Sequence, residues 1–406
     1  MKNHNKYMNC FFVVMVAVMG FSVAACEDEP DKYEVASGTP TIKYVRMTPP
    51  AVADSLITGA YMGNTVCLVG DNLRSIKKMY FNDQPAILNS SYMTDHTLIV
   101  DVPNKLSDNP TDKIYMYNSK DEVTEYDFAV LVPGPSALSM SCEYAKEGEI
   151  AEIYGDYLLS YETNPIKVTF AGNVEAEVIS ADKTSVKFRV PEGASEGNIN
   201  VSTKYGTTQS KFHYLDSRGI ILDMDNTTAA GSWSPGVYKN TEPDGIDGNY
   251  QCFEGTATSW GTWNAAFFFH YWGKNDVSDL EPADAVLKFE VNCVKPWLGI
   301  PLYMQFEPEV TAERNPYLTD ADPQMVQCHW KPFEATGSYQ TDGWVTVTIP
   351  FSEFKYDTNE TVANLKLTSF SGMKTFFMGL YGALPEGVDK NDVQICIDNV
   401  RIVPKD

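Results

Sequence analysis

Val69-Gly70-Asp71-Asn72-Leu73 and Tyr154-Gly155-Asp156-Tyr157-Leu158 are one step written twice along the chain. An alternating run follows each: Ile76-Lys77-Lys78-Met79-Tyr80-Phe81 in the first copy, Ile166-Lys167-Val168-Thr169-Phe170 in the second. Each copy then reaches a strand-like stretch that closes on Val-Pro, Asp95 to Pro103 and Asp182 to Pro191. A pattern that recurs in order after about 86 residues marks a repeated unit rather than a chance motif. Alternation with period two puts every second side chain on one face, so these runs predict short half-buried strands broken at Gly, Pro and Asp. In the Gly-Asp-x-Leu step the sequence predicts a tight turn, with Gly taking the unusual backbone angle and Leu returning to the core. Two small β-sandwiches, residues 40–131 and 135–214, account for the pattern.

The segment 215–406 is of another kind. Gly219 to Asp225 reads as an opening strand, and the loop Asp244-Gly245-Ile246-Asp247-Gly248-Asn249-Tyr250 follows. Ala265 to His270 is a continuous apolar run that stops at Tyr271-Trp272-Gly273. Strands are predicted over Ala285 to Val291, Leu302 to Glu307, Trp344 to Ile349 and Val393 to Val403, with no run of helical period long enough to compete. Paired strands over a stretch of this size make a larger jelly-roll-type sandwich the expectation. The chain is therefore read as all-β: two tandem Ig-like β-sandwiches followed by a jelly-roll-type β-sandwich.

The repeated turn, the Ile-x-x-Val-x-Phe strand and the Val-Pro ending resemble the IPT/TIG class of Ig-like domain, a resemblance that implies rigid spacers. The strand Leu222-Asp223-Met224-Asp225, the Asp244 to Tyr250 loop, Trp344 to Phe351 and the closing Ile397-Asp398-Asn399-Val400-Arg401-Ile402 resemble carbohydrate-binding sandwiches. Together with the N-terminal features below, nearly the whole chain resembles the surface glycan-binding protein B family of Bacteroidetes. That resemblance implies a lipoprotein whose C-terminal domain holds a polysaccharide at the outer membrane beside a TonB-dependent glycan transporter.

All seven tryptophans of the 406-residue chain fall between Ser232 and Trp344, interleaved with Tyr238, Tyr250, Tyr271, Tyr303, Tyr317 and Tyr339. Trp and Tyr join a broad apolar face to one polar handle, which suits a ligand with C–H faces and a hydroxyl rim. A larger aromatic core would also gather such residues. Rings at strand ends and loops are the better binding candidates, which selects Trp233, Tyr271 and Trp272 first and Trp260, Trp263, Trp297 and Trp330 next. Trp344, opening a Val/Ile-alternating strand, is assigned to the core. Gln305 shares a strand face with Tyr303 and Glu307, as Gln327 does with His329, so either set suits a sugar-binding sheet or an ordinary solvated one. Oxygens in the Asp244 to Asn249 loop fit a structural calcium ion or a plain turn equally well.

The N-terminus reads as a processing signal, residues 1–25, with Lys2 and Lys6 ahead of the apolar Phe11 to Phe21. That run is too short to span a bilayer. Val23-Ala24-Ala25-Cys26 resembles a bacterial lipobox, which makes Cys26 the lipidated residue and implies a membrane anchor. The acidic tether that follows, within 26–39, resembles the export signal of surface lipoproteins, so the expected location is the outer face of the outer membrane. The formal net charge of −23 excludes a phosphate backbone as partner, which needs a basic footprint.

Of eight cysteines, the six beyond the signal are isolated, with neither CxxC spacing nor a disulfide framework. Five His residues leave little for metal or acid–base work, and no nucleophile elbow, zinc motif or phosphate loop occurs. A glycosidase needs only two facing carboxylates, and 54 acidic residues supply candidates by number alone. Non-catalytic capture of an extended β-linked glycan, such as xyloglucan, β-glucan or mannan, is the reading adopted, without an enzyme's activity or a cofactor. The alternatives are an adhesin that binds a protein and a surface glycosidase.

Overall fold

The computed structural model describes residues 38–52, 54–226, 228–229, 237–259, 267–271, 277–308, 326–356, 366–371, 373–380 and 382–405. The described residues are strands, turns and short 3₁₀ turns, as the alternating sequence predicts. The chain divides into two compact units, 1–133 and 134–406.

In the first unit, one antiparallel sheet joins Leu56–Ile57, Thr41–Met47, Thr65–Asp71 and Thr97–Asp101. A second joins Gln84–Pro85, Lys78–Phe81, Lys113–Tyr117 and Val123–Asp127. The alternation sends Val45, Val66, Leu68, Met79, Phe81, Ile114 and Met116 into one core between the sheets. Phe128 closes that core edge-on to Phe81, with ring centroids 5.9 Å apart.

The second unit opens with an equivalent sandwich. Its sheets are Ser136–Met140, Ile150–Asp156, Ser185–Arg189 and Glu177–Ala181 on one side, and Val174–Glu175, Lys167–Ala171, Ser195–Thr203 and Gly206–Tyr214 on the other. The repeated step folds alike in both copies, and the role of its glycine differs from the expectation. Neither Gly70 nor Gly155 has positive φ; that conformation belongs to Asn72 and Tyr157, both at φ 55°. Glycine is required because a Cβ would lie 1.8 Å from the Thr41 carbonyl oxygen at Gly70 and 1.9 Å from that of Ser136 at Gly155. The neighbouring strand bulges at that point in each copy. Leu73 and Leu158 do return to the core, both fully buried.

The larger sandwich stacks two antiparallel sheets. One is ordered Val237–Lys239, Tyr250–Ala257, Asn391–Pro404, Ala285–Cys293 and Val345–Pro350, with Ile220–Leu222 also paired to the long closing strand. The other runs Thr228–Ala229, Phe267–Tyr271, Met373–Leu380, Leu302–Pro308 and Gln327–Trp330. Between them lies a core that includes Leu287, Phe289, Leu302, Met304, Phe306, Phe376, Ile395 and Ile397.

The strand Ala285–Cys293 is buried on both faces. Leu287, Phe289 and Val291 fill the sandwich core. Lys288 and Glu290 on the opposite face meet Glu143 of the preceding sandwich and Arg401 of the closing strand. Arg401 donates to Glu290 at 2.7 and 3.0 Å and to Glu143 at 2.8 Å, while Lys288 donates to Glu143 at 2.6 Å. Thr346 donates to Glu290 and accepts from the Glu143 amide. Burial raises the Glu290 carboxyl and Arg401 opposes that rise. For Arg401, burial acts to lower its pKa, and the Glu290 and Glu143 charges raise it.

The loop expected to hold calcium or form a plain turn docks the two sandwiches instead. Ile246 is buried in the hydrophobic cluster of the 135–214 sandwich. The Asp244 carbonyl accepts from Trp344 Nε1 at 2.9 Å, and the Gly245 carbonyl accepts from Lys146 Nζ at 2.6 Å. Those oxygens are turned to protein donors. Among the described residues no group of three His, Cys, Asp or Glu side chains is spaced to hold a metal ion. Trp344, assigned to the core by sequence, is half-buried against the same cluster and edge-on to Tyr250.

Candidate functional site

The site is built on the five-stranded sheet of the larger sandwich, on the side away from the other sheet. Its register brings together residues that the sequence placed on separate strands: Tyr303 lies opposite His329, and Gln305 opposite Gln327. Gln305 is also opposite Phe377, which continues the row toward Phe269. A further bridge sets Tyr356 beside Gln327.

Three rings stand in a parallel stack along this row. Tyr303 and His329 have centroids 3.9 Å apart with planes 6° from parallel, and His329 and Tyr356 are 4.1 Å apart at 4°. Stacked rings lock one another's rotamers, so their polar edges are held in place. Gln327 donates to Gln305 Oε1 at 2.7 Å and meets His329 Nε2 through its own Oε1 at 3.1 Å. With Gln327 Oε1 an acceptor, His329 carries its proton on Nε2. Tyr356 is secured through its backbone: its amide donates to the Gln327 carbonyl at 3.1 Å, and its carbonyl accepts from the Gln327 amide at 2.8 Å. The arrangement is a fixed ridge of aromatic edges and amides. It can donate to and accept from hydroxyls, and it has no pair of carboxylates in its described part.

Residues 214–404, the larger sandwich, match the family described as surface glycan-binding protein B xyloglucan binding domain. An IPT/TIG domain-containing protein of Bacteroides ovatus is 32% identical over 239 residues, 56% of this chain and 45% of its own length. The chain thus spans less than half the length of that curated relative. The crystal structure of the surface glycan-binding protein PbSGBP-B from Prevotella bryantii is similar at 32% identity and a TM-score of 0.75, over 91% of this chain and all of that one.

The chain belongs to the surface glycan-binding protein B family.

In this surface glycan-binding protein B, the sequence-selected residues fall into three groups. Trp233, Trp260, Trp263 and Trp272 lie outside the described residues, as does Cys26. Tyr271 ends the strand Phe267–Tyr271, in register with Thr375, at one end of the site row. The remaining three are corrected. Trp297 is fully buried, donates Nε1 to the Ile300 carbonyl at 2.7 Å and is ringed by Trp330, Phe333 and Tyr339. It is a core residue. Trp330 pairs with Leu302 on the core side of the sheet and packs edge-on to Phe289 of the facing sheet at 5.3 Å, half-buried. Gln305, 2% exposed, is no direct ligand group; it fixes Gln327 from below.

Tyr356 was missed by sequence reasoning. It lies beyond a 3₁₀ turn, Phe351–Glu353, in no alternating run, and only the tertiary bridge to Gln327 brings it to the row.

Proposed function

We propose that this protein is a non-catalytic, cell-surface lipoprotein that holds an extended glycan on its C-terminal sandwich for uptake. The observation that carries the reading is the coincidence of the xyloglucan-binding family match, 214–404, with the sandwich that bears the Tyr303–His329–Tyr356 ridge. Xyloglucan is the first candidate ligand, with β-glucan and mannan the next. Sugar C–H faces would rest on rings supplied by Trp233, Trp260, Trp263, Tyr271 and Trp272, and hydroxyls would bond to fixed amides and ring edges. Stacking plus a few hydrogen bonds corresponds to a Kd between micromolar and millimolar, roughly −4 to −8 kcal/mol. Display of many copies on one cell raises the effective affinity by multivalency.

In this reading Cys26 carries the lipid at the outer membrane, residues 26–39 are a tether, and the sandwiches at 40–131 and 135–214 hold the binding sandwich at 215–406 beside a glycan transporter. The test is affinity gel electrophoresis of the soluble 27–406 protein against a polysaccharide panel, with an assay for reducing ends. Retardation by one glycan class without sugar release is the expected result. Release of sugar would make the protein a hydrolase, and no retardation would favour a protein-binding adhesin. For the anchor, Cys26→Ala should release the protein from the membrane fraction.

A further inference from the structure

A second hollow lies on the first sandwich, remote in sequence from the residues above. It has a volume of about 310 Å³ and is lined by Tyr80, Asn82, Asp83, Asn109, Thr111, Tyr115 and Tyr117. The strands Lys78–Phe81 and Lys113–Tyr117 form its floor. Met79, Phe81, Ile114 and Met116 point into the core, so the alternation turns Tyr80, Tyr115 and Tyr117 outward on one face. Tyr80 stands opposite Tyr115 and edge-on to Tyr117 at 5.8 Å.

The wall is built with equal care. Asn82, only 5% exposed, sits at φ 55° and accepts through Oδ1 from the Thr111 and Lys113 amides at 3.0 and 3.4 Å. Asp83 accepts from the Asp108 and Asn109 amides and from Gln84 Nε2. These bonds pin the loop before Lys113 against the sheet. Among the described residues no hydrogen bond occupies Asn82 Nδ2 or the hydroxyls of Tyr80, Tyr115 and Tyr117. Asn82 is thus a rigid side chain with an unspent donor, and three half-buried phenols with unspent hydroxyls stand beside it, all open to a ligand.

We propose that this hollow is a second glycan subsite, taking one or two neutral sugar residues of the polysaccharide that the C-terminal sandwich holds. Tyrosine rings offer apolar surface to sugar C–H groups, and phenol and amide edges pair with hydroxyls. The only charge lining the hollow is the Asp83 carboxylate, with no cationic side chain among the lining residues, which disfavours an anionic ligand such as a phosphate or a sulfated sugar. The hollow's own chemistry carries the inference, and only the choice of probe rests on the proposed function.

The test uses the soluble 27–406 protein and titration calorimetry with xyloglucan, β-glucan and mannan oligosaccharides. Two sites are expected, reduced to one by Tyr115→Ala with the melting temperature kept. Tyr271→Ala with Trp272→Ala should remove the other site and leave this one. A conservative Tyr115→Phe separates ring from hydroxyl and should weaken the subsite without abolishing it. One site that ignores Tyr115→Ala overturns the subsite and leaves the proposed function standing, whereas no binding by any oligosaccharide overturns both.

Discussion

Glu143 and Arg401 lie 258 residues apart in the chain and meet through a 2.8 Å charge-assisted hydrogen bond at the seam between two sandwiches. Both side chains are essentially removed from solvent, at 2% and 0% exposure. Around them the cluster balances, with Glu143 and Glu290 against Lys288 and Arg401. Such a cluster adds little net stability over an apolar seam, but it is intolerant of losing one member. It therefore fixes how the binding sandwich sits on its neighbour.

Replacing Glu143 by Ala leaves Lys288 without its carboxylate and Arg401 with one partner fewer, both still buried. The expected cost is about 3–5 kcal/mol, the range for breaking a buried ion pair from one side. Calorimetry should show the transition of the 134–406 unit moving down while that of the first unit stays. A transition that does not move would show that water enters the seam and solvates the freed charges.

Asp398 gives a pH dependence. It is fully buried, accepts from the Asn399 amide at 2.8 Å, and has a second oxygen without a partner among the described residues. Burial raises its pKa well above the ordinary carboxyl value, and the nearby Glu290 charge adds to the rise. A carboxyl that holds its proton more tightly when folded makes the folded state lose stability as pH rises from about 4 toward the folded pKa. Asp398→Asn should flatten that slope in urea titrations between pH 4 and 8. An unchanged slope would assign it to other groups.

The architecture was legible because strands announce themselves by period. Met79, Phe81, Ile114 and Met116 alternate with outward residues, and Val168 and Phe170 do so again in the second copy. The seam was not legible, since Lys288 and Glu290 alternate like a solvated face and nothing local reveals a second sandwich above them. Trp297 misled for the same reason. It follows Pro296 in an irregular stretch and reads as an exposed loop ring, yet a bridge to Tyr339 draws it into the core. The pairing of Tyr303 with His329 was half legible. Sequence placed each on a strand face, but register alone makes the two faces one.

That distinction predicts separable phenotypes. Trp297→Ala should cost about 3–5 kcal/mol as a large-to-small core change, lowering the melting temperature before any direct loss of binding. Tyr271→Ala with Trp272→Ala should greatly weaken glycan retention in gels with the melting temperature nearly unchanged. If the double variant instead loses its fold, those two rings are core and the platform lies elsewhere.

Cys252 and Cys396 supply the last expectation. They are opposite one another on neighbouring strands, both buried, with sulfurs 3.5 Å apart. The hydrogen bond from Cys396 lowers the Cys252 thiol pKa, whereas burial pushes Cys293 and Cys328 up to about 12. The two sulfurs are already within reach of one another. In the oxidising setting of an exported protein the pair should close. Refolding with oxidised glutathione should let the Cys252 thiolate attack the glutathione disulfide, and Cys396 then displaces the bound glutathione. The two protein thiols are oxidised to one disulfide as oxidised glutathione is reduced to two thiols. The six cysteines of the 27–406 protein should then titrate as four after denaturation, and peptide mapping should join the strands Tyr250–Ala257 and Asn391–Pro404. Six titratable thiols after such refolding would mean that the strand geometry holds the sulfurs apart.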